Sequence, residues 1–128
     1  ILEHLEYDRV AVKNMSSLLN RGGRLIILVP ALKTLYGSMD ISFEHLRRYS
    51  RKDLRSLAQD QNLEVIKLYH MNFIGLLGWF LNGKMFKKTE LPEKQTKLFD
   101  RLAPFLEFAE KLIKPPLGQS LILVAQKK

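Results

Sequence analysis

Residues 21–30, Arg-Gly-Gly-Arg-Leu-Ile-Ile-Leu-Val-Pro, combine a pair of glycines with a nearly unbroken apolar run. Glycine adopts the left-handed conformation at a helix end without steric cost, so Gly22-Gly23 predicts that a helix ends there. The run 24–29 is apolar on both faces, which is typical of a buried and parallel strand, and Pro30 should end its hydrogen-bond ladder. A helix followed at once by a buried strand indicates an α/β domain.

One helix is predicted before this strand and another after it. Asp8 predicts the N-cap of the first helix, and its inner face is expected to consist of Ala11, Met15, Leu18 and Leu19. Ser50 and Asp53 have the spacing of a capping box at the start of the second helix. Asn62 is expected to end that helix in the left-handed conformation, and its predicted inner residues are Leu54, Leu57 and Ala58.

Two further strands are predicted at 63–69 and 121–125, with a mainly helical segment, 72–118, between them. This segment contains a long helical pattern that Pro104 should kink or split. Its expected inner face consists of Leu98, Leu102, Phe105, Leu106, Ala109, Leu112 and Ile113. We also predict core positions for Phe99, Phe105 and Phe108.

Composition restricts the classes of function. The chain has 128 residues, a formal net charge of +8 and no cysteine. The lack of cysteine excludes disulfides and cysteine-based zinc sites, and it fits a cytoplasmic location. No apolar run reaches the roughly 18 residues of a membrane span. The positive charge favours a phosphorylated substrate or an acidic membrane surface; nucleic acid is not predicted, because no RNA-binding signature is present.

The segment 1–6, Ile-Leu-Glu-His-Leu-Glu, is followed by the predicted helix and then by residues 21–30. Together these segments resemble the second half of class I S-adenosylmethionine-dependent methyltransferases. Residues 43–50, Phe-Glu-His-Leu-Arg-Arg-Tyr-Ser, resemble the His, Arg-Arg, Tyr-Ser stretch of a bacterial branch of the family, the type 11/12-like enzymes. The resemblance covers essentially the whole chain, and it implies that residues 1–128 form a partial methyltransferase domain.

The implied fold is α/β, the C-terminal half of a Rossmann-like sheet. Its fifth, sixth and seventh strands would be 24–29, 63–69 and 121–126, with the seventh inserted antiparallel between the other two. Residues 72–118 would form a helical insertion or lid between the last two strands. A sheet of only three strands leaves an edge open, so an isolated chain is expected to form a homo-oligomer.

The resemblance implies S-adenosylmethionine as the cofactor and a small, amphiphilic or phosphorylated methyl acceptor. In the family, a glycine-rich loop after the first strand holds the cofactor. This sequence has no G-x-G, and Gly22-Gly23 precede a strand instead of following one. The first three strands are therefore expected before Ile1, and the chain alone is expected to bind the cofactor weakly and to be inactive.

The resemblance assigns Leu2 and Glu3 to cofactor binding, and His4 and His45 as catalytic candidates. Histidine suits proton transfer near neutral pH, because its unperturbed pKa is about 6.5. The alternative for His4 is an ordinary histidine that is hydrogen-bonded to its neighbours. No metal site is predicted.

The loop 31–49 and the apolar segment that begins at residue 72 supply the substrate-binding candidates, with Asp40 in the same loop. These candidates are Tyr36, Arg47, Arg48, Tyr49 and Trp79. An arginine fork suits phosphate or carboxylate, although adjacent arginines are often solvated surface residues.

Residues 72–83 are strongly apolar and lead into Lys84, Lys87 and Lys88. We favour a lid or packing helix over the substrate pocket. The alternative is an amphipathic helix on a membrane surface, with its lysines facing lipid phosphates. In that case the chain would be a non-enzymatic module that binds an anionic membrane or a partner protein through residues 72–88.

Overall fold

The computed structural model describes residues 1–90, 93–113 and 115–128. Its three strands, β1 (Arg24–Pro30), β2 (Leu63–Met71) and β3 (Ser120–Lys127), form one sheet in the order β1-β3-β2. The last strand pairs antiparallel with both neighbours, so the predicted insertion of that strand between the other two is confirmed. Within the described residues β1 pairs with β3 alone, so the parallel pairing predicted for the run 24–29 stays a prediction for its other edge.

Five α-helices connect and cover the strands in the described part of the chain. Their bounds are α1 (Asp8–Ser17), α2 (Ser38–Ser42), α3 (Arg51–Gln59), α4 (Phe73–Trp79) and α5 (Glu93–Ile113). A π-helix, Phe80–Met85, continues α4, and single 3₁₀ turns lie at Leu2–His4 and Lys33–Leu35. No helix among the described residues has both the length and the apolar character needed to cross a membrane.

The turn before β1 differs from the prediction in detail. Helix α1 ends at Ser17, so Gly22-Gly23 do not cap it; Gly22, at φ +79°, instead turns the chain into β1. The Gly22 amide donates to the Lys127 carbonyl at 2.8 Å, and the Lys127 amide donates to Gly23 at 2.9 Å. The glycine pair therefore aligns β1 with β3.

The start of α1 also differs from the prediction. Tyr7 is the N-cap and Asp8 is the first helical residue, without a side-chain cap. The carboxylate of Asp8 instead accepts a hydrogen bond from the Tyr49 hydroxyl. On the inner face of α1 the prediction was wrong for Leu18, which is 85% exposed, and it missed the fully buried Val12.

The capping box of α3 is confirmed. The Ser50 hydroxyl accepts from the Asp53 amide, and the Asp53 carboxylate accepts from the Ser50 amide at 2.8 Å. These reciprocal bonds satisfy amide groups that a helix N-terminus otherwise leaves without partners. The predicted inner residues Leu54, Leu57 and Ala58 are all buried, and Asn62 has a positive φ of 55°.

Within the described part of the chain, helices cover one face of the sheet. Ile27, Val29, Leu121, Leu123 and Ala125 face α1 and α3 and form the core with them. Side chains alternate between the faces of a strand, and on the opposite face Ile26 is 68% and Leu28 57% exposed. The expectation that both faces of 24–29 are buried is therefore wrong for this chain.

The segment after β2 is helical, as predicted, but its apolar side chains are mostly exposed. Helix α5 is one element with Pro104 inside it. Its predicted inner residues Leu98, Leu102 and Phe105 are exposed, as is Phe108, so the assignment of Phe105 and Phe108 to the core was wrong. Phe99 and Leu106 are half-buried. The side chains of Ala109, Leu112 and Ile113 lie outside the described residues.

Removing the side chain of Leu123 tests the core. Leu123 is fully buried in the central strand, so Leu123→Ala should lower the free energy of unfolding by about 2–5 kcal/mol through lost burial and a residual cavity. The matched control Leu18→Ala should change it by less than about 0.5 kcal/mol, because that side chain already contacts water. Urea unfolding followed by circular dichroism measures both, and equal losses would contradict the described core.

Candidate functional site

A buried carboxylate, that of Asp40, lies at the centre of the candidate site. Helix α2 places it in the interior, where its side chain has no exposed surface. Its Oδ1 atom accepts from Arg48 Nε at 2.8 Å and lies 3.0 Å from His45 Nδ1. Its Oδ2 atom accepts from the Gly37 amide at 3.0 Å and from the Trp79 indole N–H at 3.4 Å. Asp40 thus joins α2, the loop 43–49 and α4.

Arg48 is the charged partner of Asp40, and its side chain is fully buried. Burial lowers the pKa of Arg48, and the adjacent Asp40 carboxylate opposes that effect. Arg48 Nη1 donates to the Ala31 carbonyl at 2.9 Å, and the guanidinium carbon lies 4.8 Å from the centre of the Trp79 ring. Nη2 has no hydrogen-bond partner within the part of the chain that the structure describes. Two of the three guanidinium nitrogens are therefore already engaged by the protein.

His4 and His45 come together, although 41 positions separate them in the sequence. Their ring centres are 5.0 Å apart and the rings meet edge to face. His4 Nδ1 lies 3.1 Å from the carbonyl oxygen of Glu44. Carbonyl and carboxylate oxygens only accept hydrogen bonds, so both histidines carry their proton on Nδ1. Nε2 is then the ring nitrogen that takes no part in these two bonds.

Glu3 completes this group at the rim of the site. Its Oε1 atom lies 3.7 Å from His4 Nε2, and its Oε2 atom accepts from the Ile1 ammonium at 2.9 Å. One oxygen of Glu3 and one ring nitrogen from each histidine lie within 4.8 Å of one another. A backbone bond of 2.7 Å from the Leu46 amide to the Glu3 carbonyl holds the two segments together.

Tyr49 is buried next to Leu2. Its hydroxyl oxygen lies 3.1 Å from the Leu2 carbonyl and 3.0 Å from a carboxylate oxygen of Asp8, two acceptors for a single proton. Burial, and then the hydrogen bond to Asp8, raise the pKa of Tyr49 well above its usual value. The phenol therefore stays protonated, and it links α1, the first turn and the loop 43–49.

A groove of about 870 Å³ opens beside these residues, at the start of α3. Tyr36 and Arg47 line it; the Tyr36 hydroxyl donates to the His45 carbonyl at 2.8 Å, and Arg47 Nη1 lies 3.3 Å from an Asp8 oxygen. The wall contains five cationic and two anionic side chains. Its residues are Asp8, Arg9, Lys33, Tyr36, Arg47, Arg48, Tyr49, Ser50, Lys52, Asp53, Ser56 and Leu57. Such a surface attracts anions.

The predicted site residues therefore lie in two adjoining groups. Leu2, Glu3, His4, His45 and Trp79 surround Asp40 and Tyr49, whereas Tyr36, Arg47 and Arg48 face the groove. Trp79 is buried and its ring stacks on that of His45 at 6.4 Å between centres. Asp40 was predicted as a residue of the loop 31–49, but not as the centre of the candidate site. Lys33, in the turn after β1, and Lys52, in the first turn of α3, were missed, and both line the groove.

The fold is similar to that of a known structure. No family model and no curated protein matches this chain. Among solved structures, the chain is similar to the crystal structure of a putative methyltransferase from Bacillus halodurans, with a TM-score of 0.56 and 16% sequence identity. The alignment covers 98% of this chain and 60% of that one, so the chain spans about three fifths of its length. At this identity the match shows a methyltransferase-like fold.

The buried ion pair makes a specific prediction. Asp40→Asn removes the charge opposite Arg48, and an uncompensated buried guanidinium should lower the free energy of unfolding by about 3–5 kcal/mol. Asp100→Asn, on the exposed surface of α5, is the matched control and should change stability by less than about 0.5 kcal/mol. Chemical unfolding measures both variants. A stable Asp40→Asn protein would mean that Arg48 is not held by this carboxylate.

Proposed function

We propose that this chain is the substrate-side part of an S-adenosylmethionine-dependent methyltransferase domain that acts on a small acceptor with an anionic group. The observation that carries the proposal is the methyltransferase-like fold with a built polar site at the loops that follow β1. In open α/β sheets, ligands bind at the ends of the strands, where such loops lie. The transfer itself depends largely on positioning of the acceptor.

The uncovered face of the sheet supports this proposal. Folded monomers rarely leave a large apolar patch open to water, and here Ile26, Leu28 and Tyr69 are exposed on the face opposite the core. We propose that this face and the free edge of β1 are covered by further elements of the same domain. In their absence, two copies of the chain would associate through the same apolar surface.

The groove supports an anionic acceptor. Lys52 is exposed and Lys33 forms an ion pair of 2.8 Å with Asp53, so both ammonium groups lie near the N-terminus of α3. A phosphate or carboxylate placed there would also be favoured by the helix dipole. Arg47 adds positive charge to the wall of the groove, where its Nη1 lies 3.3 Å from Asp8 and its Nη2 donates to the Glu6 carbonyl. These features favour a small phosphorylated or carboxylated acceptor over nucleic acid.

His4 and His45 are the proposed catalytic residues of the intact protein. Each keeps Nε2 free to accept a proton, because its Nδ1–H is engaged by Glu44 or Asp40. Leu2 and Glu3 are proposed to line the cofactor side. Tyr49 and Trp79 are both buried. Their proposed role is therefore to shape the wall of the substrate pocket by packing.

The residues of this chain do not by themselves fit the cofactor. Gly22 and Gly23, the one adjacent glycine pair in the sequence, are bonded to Lys127 and turn the chain into β1. They therefore cannot form the loop that follows a first strand and holds S-adenosylmethionine. Cofactor binding is proposed only for a longer protein that supplies this loop.

A comparison of two proteins tests the proposed function. One is this chain, and the other is the product of the complete reading frame that encodes it. In calorimetric titration with S-adenosylmethionine, the longer protein should bind with a stoichiometry of one, whereas this chain alone should show no tight binding. In the longer protein, Glu3→Ala should weaken binding by about tenfold, an effect on the order of 1.4 kcal/mol.

The matched control is Glu6→Ala, which removes an exposed carboxylate three residues away and should leave the affinity unchanged. A reading frame without a strand and a glycine-rich loop before Ile1 would contradict the proposal. So would a longer protein that fails to bind the cofactor.

A second candidate function rests on a separate observation. Residues 73–86, which include α4 and the π-helix, expose seven large apolar side chains, and Lys84, Lys87 and Lys88 lie within or just after this segment. The apolar residues are Phe73, Ile74, Leu77, Phe80, Leu81, Met85 and Phe86. Aromatic and aliphatic residues beside lysines suit the interface of an anionic membrane. We propose peripheral membrane binding through residues 73–88 as this second function.

Co-sedimentation with phosphatidylserine-containing vesicles tests the membrane proposal. Phe86→Ser and Lys87→Glu should each weaken binding by at least about fivefold. Phe86→Ser removes apolar area that would enter the membrane interface, and Lys87→Glu reverses a charge worth about 1 kcal/mol at the membrane surface. High salt should release the protein. Trp79 is unsuitable as a probe because it is buried. The control is Leu18→Ser, at the exposed end of α1, and this variant should bind the vesicles as tightly as the unaltered chain. If the unaltered chain does not bind the vesicles, the membrane proposal is contradicted.

A further inference from the structure

Three potential metal ligands converge at the rim of the site. They are Glu3, His4 and His45; each offers one ligand atom, and these three atoms lie within 4.8 Å of one another. Two imidazoles and one carboxylate form a ligand set that binds divalent transition metals in many proteins. The sequence pattern did not predict a metal site, since positions 3 and 4 are far from position 45 in the chain.

Both imidazoles are held in the tautomer that a metal requires. His45 Nδ1 donates to the Asp40 carboxylate at 3.0 Å, and His4 Nδ1 donates to the Glu44 carbonyl at 3.1 Å. A carboxylate or carbonyl behind a histidine fixes the ring and makes its other nitrogen a better ligand. Each of the two histidines thus has an outer partner and keeps Nε2 for a ligand.

The scaffold beneath the ligands is rigid. The outer carboxylate, Asp40, is fully buried and paired with Arg48 at 2.8 Å. The Leu46 amide donates to the Glu3 carbonyl, which ties the first turn to the loop that carries His45. The side chains of Glu3 and His45 are only 12% and 14% exposed, whereas that of His4 is 43% exposed. His4 is therefore the ligand that can move to close on an ion.

We infer that Glu3, His4 and His45 form a binding site for a divalent transition-metal ion, with Zn²⁺ as the ion of best fit. Zinc lies about 2.0–2.2 Å from nitrogen and oxygen ligands, which places ligand atoms roughly 3.3 Å apart. The gap of 3.7 Å between His4 Nε2 and Glu3 Oε1 is close to that value. Three protein ligands leave a fourth position open, as in catalytic zinc sites.

The ligand types favour zinc over Ca²⁺ and Mg²⁺, which prefer sites made of oxygen atoms alone. A bound ion would occupy the Nε2 atoms that the proposed function gives to proton acceptance, so the two roles are alternatives for His4 and His45. The test for the ion uses this chain without the cofactor. Metal binding and the proposed function can therefore fail separately.

Metal titration of the untagged, chelator-treated chain tests the inference, since a polyhistidine tag would itself bind zinc. Calorimetry should show one Zn²⁺ per chain, and Co²⁺ at the same site should give the intense visible absorption of a four-coordinate ion. Zinc should also raise the melting temperature, because it binds the folded state. His4→Gln, His45→Gln and Glu3→Gln should each lower the affinity by at least about tenfold.

His4→Gln is the most informative variant, because its half-exposed side chain can be replaced without disturbing the core. The matched controls are Glu6→Gln, an exposed carboxylate outside the cluster, and His70→Gln, the third histidine of the chain. Both should bind zinc with unchanged stoichiometry, and circular dichroism checks that each variant is folded. The inference is overturned if the unaltered chain binds no zinc, or if folded His4→Gln and Glu3→Gln proteins bind it as tightly as the unaltered chain.

Discussion

The ion pair between Asp40 and Arg48 is the interaction on which the site depends. Removing two charges from water costs several kcal/mol for each ion, and a close pair recovers that cost only when hydrogen bonds satisfy the remaining atoms. Here Gly37, Trp79 and His45 supply bonds to Asp40, and Ala31 accepts one from Arg48. The pair thus requires α2, the loops on either side of it and α4 to be in place together. The geometry around Asp40 therefore depends on the folding of the whole segment 31–79.

Local signals predicted the parts of the fold that short-range chemistry determines. The capping box at Ser50 and Asp53, the left-handed Asn62 and the last strand all follow from a few neighbouring residues. That strand was predicted at 121–125 and lies at Ser120–Lys127. The antiparallel last strand was implied by the family resemblance. Asp8 was misassigned because its carboxylate serves Tyr49, a partner 41 positions away, instead of the helix end.

The candidate site was only partly predictable for the same reason. Individual residues such as His45 and Arg48 could be selected from their chemistry, but their contacts join positions 4, 40, 45 and 79 through tertiary packing. The sequence also cannot distinguish a buried apolar side chain from an exposed one, because burial depends on which elements pack against it. Ile26, Leu28 and Phe105 have the residue types of a core, and in this chain they face outward.

Trp79 gives the site a built-in optical reporter. It is the only tryptophan in the chain, and its ring lies against the Arg48 guanidinium, the His45 imidazole and Phe43. Intrinsic fluorescence excited at the indole band therefore originates from this one cluster. Changes in the charge of His45, or in the packing around Asp40, alter the environment of that indole directly. A single emission spectrum can thus follow the state of the site without any label.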